Sequence, residues 1–158
     1  METDRQSPAP LAFGHIALTV SDIESSVRFY CGVLGATMMQ APHDSYDNPD
    51  FRGRKAVLLL GDGYGFNLNE HRPDSGDRFD PGRVGIDHLA FAAGSYEALE
   101  AWASHLDAHG VPHSPVRDAG GVASMFDFLD PDGIQLEFFF FDPGRLSRSA
   151  TQAETTSA

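Results

Sequence analysis

Apolar and polar positions follow one order along this chain and then follow it again. The first pass opens with Phe13-Gly14-His15-Ile16-Ala17-Leu18-Thr19-Val20, an apolar run of strand length. Ser21-Asp22-Ile23-Glu24 comes next and predicts a capping box, with Ser21 and Glu24 satisfying free N–H groups at a helix start. Ile23, Val27, Tyr30, Cys31 and Leu34 recur at helical spacing, and Gly35 offers a stop. A strand is predicted near Thr37–Gln40, then a turn-rich loop from Pro42 to Gly53. Lys55–Leu60 and Phe66–His71 read as a hairpin around Gly61-Asp62-Gly63.

The second pass begins with Ile86-Asp87-His88-Leu89-Ala90-Phe91, a strand, after which Ser95 is placed to cap a helix. Leu99, Trp102, Ala103 and Leu106 form that helix's stripe, and Gly110 ends it. Strands are predicted near Val111–Pro115 and Ala123–Leu129. The turn Asp130-Pro131-Asp132-Gly133 then leads into a last strand, Ile134–Phe141. Each half is a βαβββ unit. The expected fold is α+β: two such modules forming a cupped mixed sheet with helices outside. The expected boundaries are a flexible start over 1–10, one domain over 11–141 and a flexible tail over 142–158. Within the domain, module 1 spans 11–71, a polar linker 72–84 and module 2 85–141.

The register of the repeat places particular side chains in matched positions. His15 aligns with His88, and setting Asp62-Gly63 over Asp132-Gly133 puts Asn67 over Glu137. Halves related by a pseudo-twofold axis would bring these four positions to face one another. Side chains alternate along a strand. With His15 inward, Phe13, Ala17 and Thr19 share its face. Ile86 and Ala90 accompany His88, and Gln135 and Phe139 accompany Glu137. The opposite faces are aliphatic or aromatic throughout. A carboxylate within Leu136-Glu137-Phe138-Phe139-Phe140 is costly unless it is paired, protonated or metal-bound. A protonated, Arg-paired or edge Glu137 is one reading, and core or surface histidines are the plain readings of His15 and His88. Their matched positions favour the other reading, because two imidazoles and a carboxylate suit a divalent transition metal.

Composition narrows the setting. The 158 residues are 41% hydrophobic and 22% charged, with a formal charge of −12 and a single lysine, Lys55. That balance argues against a nucleic-acid partner, which clustered Lys and Arg would serve. No apolar run approaches the roughly 20 residues of a membrane span. A lone cysteine, Cys31, excludes an internal disulfide, suits a reducing cytoplasm and reads as a buried structural thiol. The polar, proline-bearing stretch Met1–Pro10 does not read as a signal peptide.

The motifs resemble those of the glyoxalase/bleomycin-resistance/extradiol-dioxygenase superfamily, the vicinal-oxygen-chelate proteins. Residues 14–22 with Arg28-Phe29-Tyr30-Cys31-Gly32-Val33-Leu34-Gly35 are similar to the opening of such a module, as is Ile86–Phe91 for the second. Phe128-Leu129-Asp130-Pro131-Asp132-Gly133-Ile134-Gln135-Leu136-Glu137-Phe138 is similar to its closing strand. The resemblance implies metal ligands at His15, His88 and Glu137, with Asn67 in the fourth position. Glyoxalase I enzymes carry a carboxylate there, so Asn67 argues against lactoylglutathione lyase activity. A two-His, one-Glu set resembles extradiol dioxygenases and metal-dependent fosfomycin-resistance transferases. The closing third has no Lys/Arg cluster like that of the latter.

The resemblance therefore implies a metal-dependent, dioxygenase-like enzyme acting on a small substrate held through vicinal oxygens, with lyase or isomerase chemistry also open. Fe(II) is the favoured metal, with Mn, Ni, Co or Zn as alternatives. Asn67, Asn69, Phe13, Ala17, Ile86, Ala90, Gln135 and Phe139 are the expected substrate-contacting residues. The rival reading is a drug- or metabolite-binding resistance protein without chemistry. A homodimer is implied by the family alone. His105 and His109, spaced for metal on one helix, read as solvated residues, and His43, His71, His113, Arg52 and Arg54 as surface groups. Tyr64 reads as turn packing.

Overall fold

The structure, a computed structural model, describes residues 12–48, 51–61, 63–71 and 76–142, without the side chains of residues 46–48, 51 and 52. The chain divides into two compact units, Met1–Pro73 and Asp74–Ala158, each built around one sheet and one helix.

In the first unit β1 (His15–Thr19) leads into α1 (Ile23–Gly32), followed by β2 (Thr37–Asn48), β3 (Phe51–Leu60) and β4 (Tyr64–Glu70). The sheet order is β1-β4-β3-β2, with β1 parallel to β4 and the other pairs antiparallel. The apolar stripe of α1 buries Ile23, Val27, Phe29 and Tyr30 beside Leu18, Ala56, Leu58, Phe66 and Leu68. Tyr30 packs against Phe66 with ring centroids 4.7 Å apart. The helix closes where expected. Gly35, just beyond the Val33 C-cap, takes φ 71, and Ala36 N–H donates to the Tyr30 carbonyl at 2.9 Å.

The helix start corrects the sequence expectation. Asp22, extended at φ −138, is the N-cap, and its carboxylate accepts from Ser25 N–H at 3.0 Å. This moves the start by one residue, so Glu24 falls at the second helical position and not at the third, which a capping box requires. Glu24 instead takes the Arg54 guanidinium at 2.5 and 2.8 Å, while Glu70 of β4 accepts Ile23 N–H at 3.0 Å.

A second correction concerns Pro42 to Gly53. Strand β2 continues through much of this stretch to Asn48, and β3 begins at Phe51. Irregular register between Gln40 and His43 lets the edge strand pass Ala41 and Pro42. The Gly61–Gly63 hairpin forms as expected, although Asp62 itself lies outside the described residues.

The second unit repeats the plan with β5 (Leu89–Ala92), α2 (Tyr96–Ala108), β6 (Arg117–Ala119), β7 (Ala123–Leu129) and β8 (Gln135–Phe141), in the order β5-β8-β7-β6. Again the first and last strands are parallel. Ser95 caps α2 by accepting from Ala98 N–H at 3.1 Å. Leu99 and Leu106 are fully buried, and Trp102 stacks on Phe138 at 4.6 Å. Strand β5 starts three residues later than expected, so Ile86 and His88 precede it. Val111–Pro115 is not a strand: only His113 bridges, to Phe128, before β6. Pro112 and Pro115 have no N–H to give a ladder.

Replacing the Asp22 cap should therefore be felt where the expected box would not be. Asp22→Ala is expected to lower unfolding stability by about 1 kcal/mol in urea titration. With Arg54→Ala as the background, so that the Glu24–Arg54 ion pair is removed from the comparison, Glu24→Ala is expected to cost clearly less, and equal losses there would reinstate Glu24 as a capping residue.

Candidate metal site

The closing strand β8 explains how a carboxylate survives among phenylalanines. Leu136 and Phe138 are buried against the helix side, and alternation turns Gln135, Glu137 and Phe139 to the other face. Glu137 pairs with Ala90 of β5 on one side and Asp127 of β7 on the other. Its side chain is only 12% exposed. Arg117 of β6 binds Asp127 directly, and its Nη2 stands 3.6 Å from Glu137 Oε2. Gln135 Nε2 approaches Asp127 Oδ1 at 3.5 Å. Burial, with the neighbouring Asp127 charge, pushes the Glu137 carboxyl above its usual range; His88 and Arg117 offset part of this.

His88 lies two residues before Ala90, on the side of β5 that carries Ala90 by alternation. Its ring Nδ1 is 2.6 Å from Asp87 Oδ1. That hydrogen bond, reinforced by the charge of Glu137, holds the imidazole above its ordinary value. With the proton on Nδ1, Nε2 keeps a lone pair, the arrangement typical of a ligating histidine.

The first unit shows the same register with different groups. Ala17 pairs with Asn67 as Ala90 pairs with Glu137, and His15 lies two residues before Ala17. Phe13, His15, Ala17 and Thr19 are exposed while Leu18 is buried, as the alternation requires. Gly65 is opposite His15, and a Cβ there would stand 2.8 Å from His15 Cβ. Asn67 is half-buried and Asn69, opposite Thr19 and Lys55, is 8% exposed. His15 thus belongs to the first unit, and His88 and Glu137 are neighbours in the second. Of the remaining expected contacts, Ile86 and Ala90 are exposed, and Gln135 and Phe139 are half-buried.

Other candidates resolve into local roles. Asp22, Glu24 and Glu70 bring carboxylate oxygens within 4.8 Å of one another. Arg54 pairs with Glu24 and stands 3.8 Å from Glu70, and two of the acids cap α1, so structural contacts already occupy the cluster. His109 Nδ1 bonds the His105 carbonyl, and His105 lies edge-on to Trp102. His113 bonds Ser114 and reaches Asp107 at 3.4 Å. His43 Nδ1 bonds the Ala41 carbonyl, and Tyr64 packs edge-on to Phe13. The Arg52 side chain lies outside the described residues. Cys31 is half-buried, and burial raises its thiol pKa. A recess of about 400 Å³ beside Tyr96, Ser124, Phe140 and Asp142 includes Arg117 but neither His88 nor Glu137.

Residues 12–138 match the model of the Glyoxalase/Bleomycin resistance protein/Dioxygenase superfamily. The chain belongs to this superfamily. It is 30% identical over 130 residues to the uncharacterized protein YaeR of Escherichia coli (strain K12), covering 79% of this chain and 92% of YaeR. Among solved structures, it is similar to a glyoxylase/bleomycin resistance protein/dioxygenase domain from Frankia sp. EAN1pec. The TM-score is 0.74 and identity 27%, over 85% of this chain and all of that domain, 100%. The fold is also that of the fosfomycin resistance protein FosX from Listeria monocytogenes, solved with Mn(II) and sulfate. There the TM-score is 0.61 and identity 21%, over 87% of this chain and 99% of FosX.

Within this superfamily member, the sequence reading missed Asp87, Arg117 and Asp127 as neighbours of Glu137 or His88. Asp127 was open to inference. It alternates with buried Phe126 and Phe128, and counting outward across the Asp130–Gly133 turn sets it opposite Glu137. Arg117 carried no such signal, because β6 has three residues and no apolar face.

For both Glu137 and His88 the folded pKa lies above the unfolded one. Their protonated forms favour folding of the metal-free protein, fully below the unfolded pKa and progressively less as pH rises through the folded one. In metal-free protein, Glu137→Gln is expected to raise the melting temperature above wild type at about pH 7 and to match it at about pH 3. Matching temperatures at both pH values would show that the carboxylate carries no burial cost.

Proposed function

We propose that this protein is a divalent-metal-dependent enzyme of the superfamily, with His15, His88 and Glu137 as protein ligands, acting on a small substrate held through two adjacent oxygens. One observation carries the reading. The same strand register occurs in both units, so that a histidine stands two residues before the alanine that pairs with Asn67 or Glu137. The donor set fits a metal: His88 is fixed through Nδ1 by Asp87, and Glu137 is a largely buried carboxylate beside a second acid. A divalent ion would supply the counter-charge and, when bound, Lewis acidity toward chelated oxygens, extending to dioxygen chemistry if it is iron. The Mn(II) in Listeria FosX supports the capacity of this fold to carry such an ion.

The chain's own residues would then shape the substrate's surroundings. Asn67 offers an uncharged amide where a second carboxylate would add negative charge, so the ligand set carries one anionic group and leaves the ion more electrophilic. Asn67 and Asn69 offer hydrogen bonds to substrate oxygens. Phe13 and Ala17 of the first unit, and Ile86 and Ala90 of the second, would offer apolar contacts, and Phe139 a ring face for stacking, which suits a planar, oxygenated ring and dioxygenase-like chemistry. Gln135, tied to Asp127, contributes a polar edge.

The second reading, sequestration of a drug or metabolite without chemistry, is favoured by the Arg117 contact. It gives Glu137 an internal cation.

Metal analysis of untagged protein separates the two. Near-stoichiometric Fe(II), Mn(II), Ni(II) or Zn(II) is expected in wild type, falling by about tenfold or more in affinity in His15→Ala, His88→Ala and Glu137→Ala. Loaded wild type is then expected to turn over catechols or related vicinal-oxygen compounds under anaerobic Fe(II) loading followed by oxygen. Protein that refuses all four ions sinks the enzyme reading and leaves sequestration.

A further inference from the structure

Arg117 stands between two carboxylates and holds them unequally. Its Nη1 donates directly to Asp127 Oδ2 and lies 3.4 Å from Ser114 Oγ. Its Nη2 is 3.6 Å from Glu137 Oε2, too long for a hydrogen bond. The backbone builds in this inequality. Ser114 N–H donates to the Asp127 carbonyl at 2.8 Å, and Ser114 Oγ accepts from Asp127 N–H at 2.9 Å. The approach to β6 is thereby fastened to β7 at Asp127. Arg117 then pairs with Met125, which makes Asp127 its diagonal neighbour on one face, with Glu137 one strand further on.

An arginine is a strong competitor for a metal-binding carboxylate. Its fork is permanently charged and matches both carboxylate oxygens at once. Arg117, on an exposed three-residue edge strand, has the freedom to close on Glu137 unless something else holds it. Asp127 is that hold. Its Oδ2 takes the guanidinium, while Gln135 approaches Oδ1.

We infer that Asp127 is a positioning residue: by holding Arg117 off Glu137, it leaves the Glu137 carboxylate open to a divalent metal. The inference rests on the metal reading above and assigns Asp127 no contact with the ion. Asp127→Asn keeps the shape and removes the charge that retains Arg117, so the guanidinium should move to Glu137 and exclude the metal. Removing Arg117 in the same chain should undo the damage, an effect that loss of fold or loss of a direct ligand would not produce.

The test is Mn(II) affinity, read by the electron paramagnetic resonance of free Mn(II), for wild type, Asp127→Asn, Arg117→Gln and the double variant. Asp127→Asn is expected to weaken binding about tenfold or more. Arg117→Gln should bind as tightly as wild type or tighter, and the double variant should return to within about threefold of it. Unchanged affinity in Asp127→Asn overturns the inference, as does a double variant as weak as Asp127→Asn. Arg117→Gln, at a half-exposed edge position, keeps the test open if Asp127→Asn folds poorly, because a tenfold loss there overturns the inference alone. Wild type that takes up no Mn(II), nor the other ions above, overturns the metal reading and this inference with it. A crystal structure of Asp127→Asn supplies the metal-independent readout, with Arg117 expected on both Glu137 oxygens.

Discussion

Parallel pairing of the first and last strands in each unit is the constraint on which the rest depends. Parallel neighbours cannot be joined by a tight turn, so the chain must cross the sheet before it returns. The helices α1 and α2 make that crossing, and three strands then walk back by antiparallel pairing until β4 meets β1 and β8 meets β5. Two results follow. Each helix covers one face of its own sheet, where Leu18, Phe66 and Leu68 or Phe126, Leu136 and Phe138 are buried. The other face brings together groups far apart in sequence, such as His88 with Glu137. Fixing Ala90 opposite Glu137 also fixes which side chains share that face, since a one-residue slip would exchange the carboxylate for a phenylalanine or leucine.

The parts legible from the sequence were those whose signal is periodic or doubled. Alternation through Leu136-Glu137-Phe138 identified the odd residue of an apolar strand, and the Asp130–Gly133 turn fixed its register. Ser95 and Gly110 marked the ends of α2 because no other residue nearby competed for either role. At α1 two acceptors stood side by side, Ser21 and Asp22, and choosing between them depended on Glu70 and Arg54, contributed by strands far along the chain. Composition misled most at β2. An edge strand is not required to bury both faces, so His43-Asp44-Ser45 can pair with β3 while reading as a loop. The reverse error occurred at Val111–Pro115, where apolar content suggested a strand and the prolines prevented one.

Relatives extend the fold assignment further than the chemistry. A superfamily of this kind hosts unrelated activities on one scaffold, so similarity to YaeR or to FosX leaves the substrate to be argued from side chains. Here those side chains say that charge is used sparingly and in pairs. Arg54 is committed to Glu24 and Glu70, and Arg117 to Asp127, in a chain with a net charge of −12. Lys55 of β3 stands opposite Asn69, on the face that by alternation also carries Asn67 and His15.

The two units diverge in charge. At equivalent positions, Asn67 faces Val57 across the strand pair, whereas Glu137 faces Asp127. An amide beside an aliphatic residue needs only hydrogen bonds. Two carboxylates side by side call for a cation: burial and the neighbouring Asp127 charge push the Glu137 carboxyl above its usual range. Arg117 answers that need for Asp127 by direct contact and for Glu137 only at a distance. The residual charge on Glu137 is therefore confined to one unit, on the face that also carries His88. Arg54 is unequal in the same way, closing its fork on Glu24 while standing 3.8 Å from Glu70. What separates the two acids left at a distance is their other neighbour: Glu70 accepts the Ile23 N–H that starts α1, whereas Glu137 has a second acid opposite it.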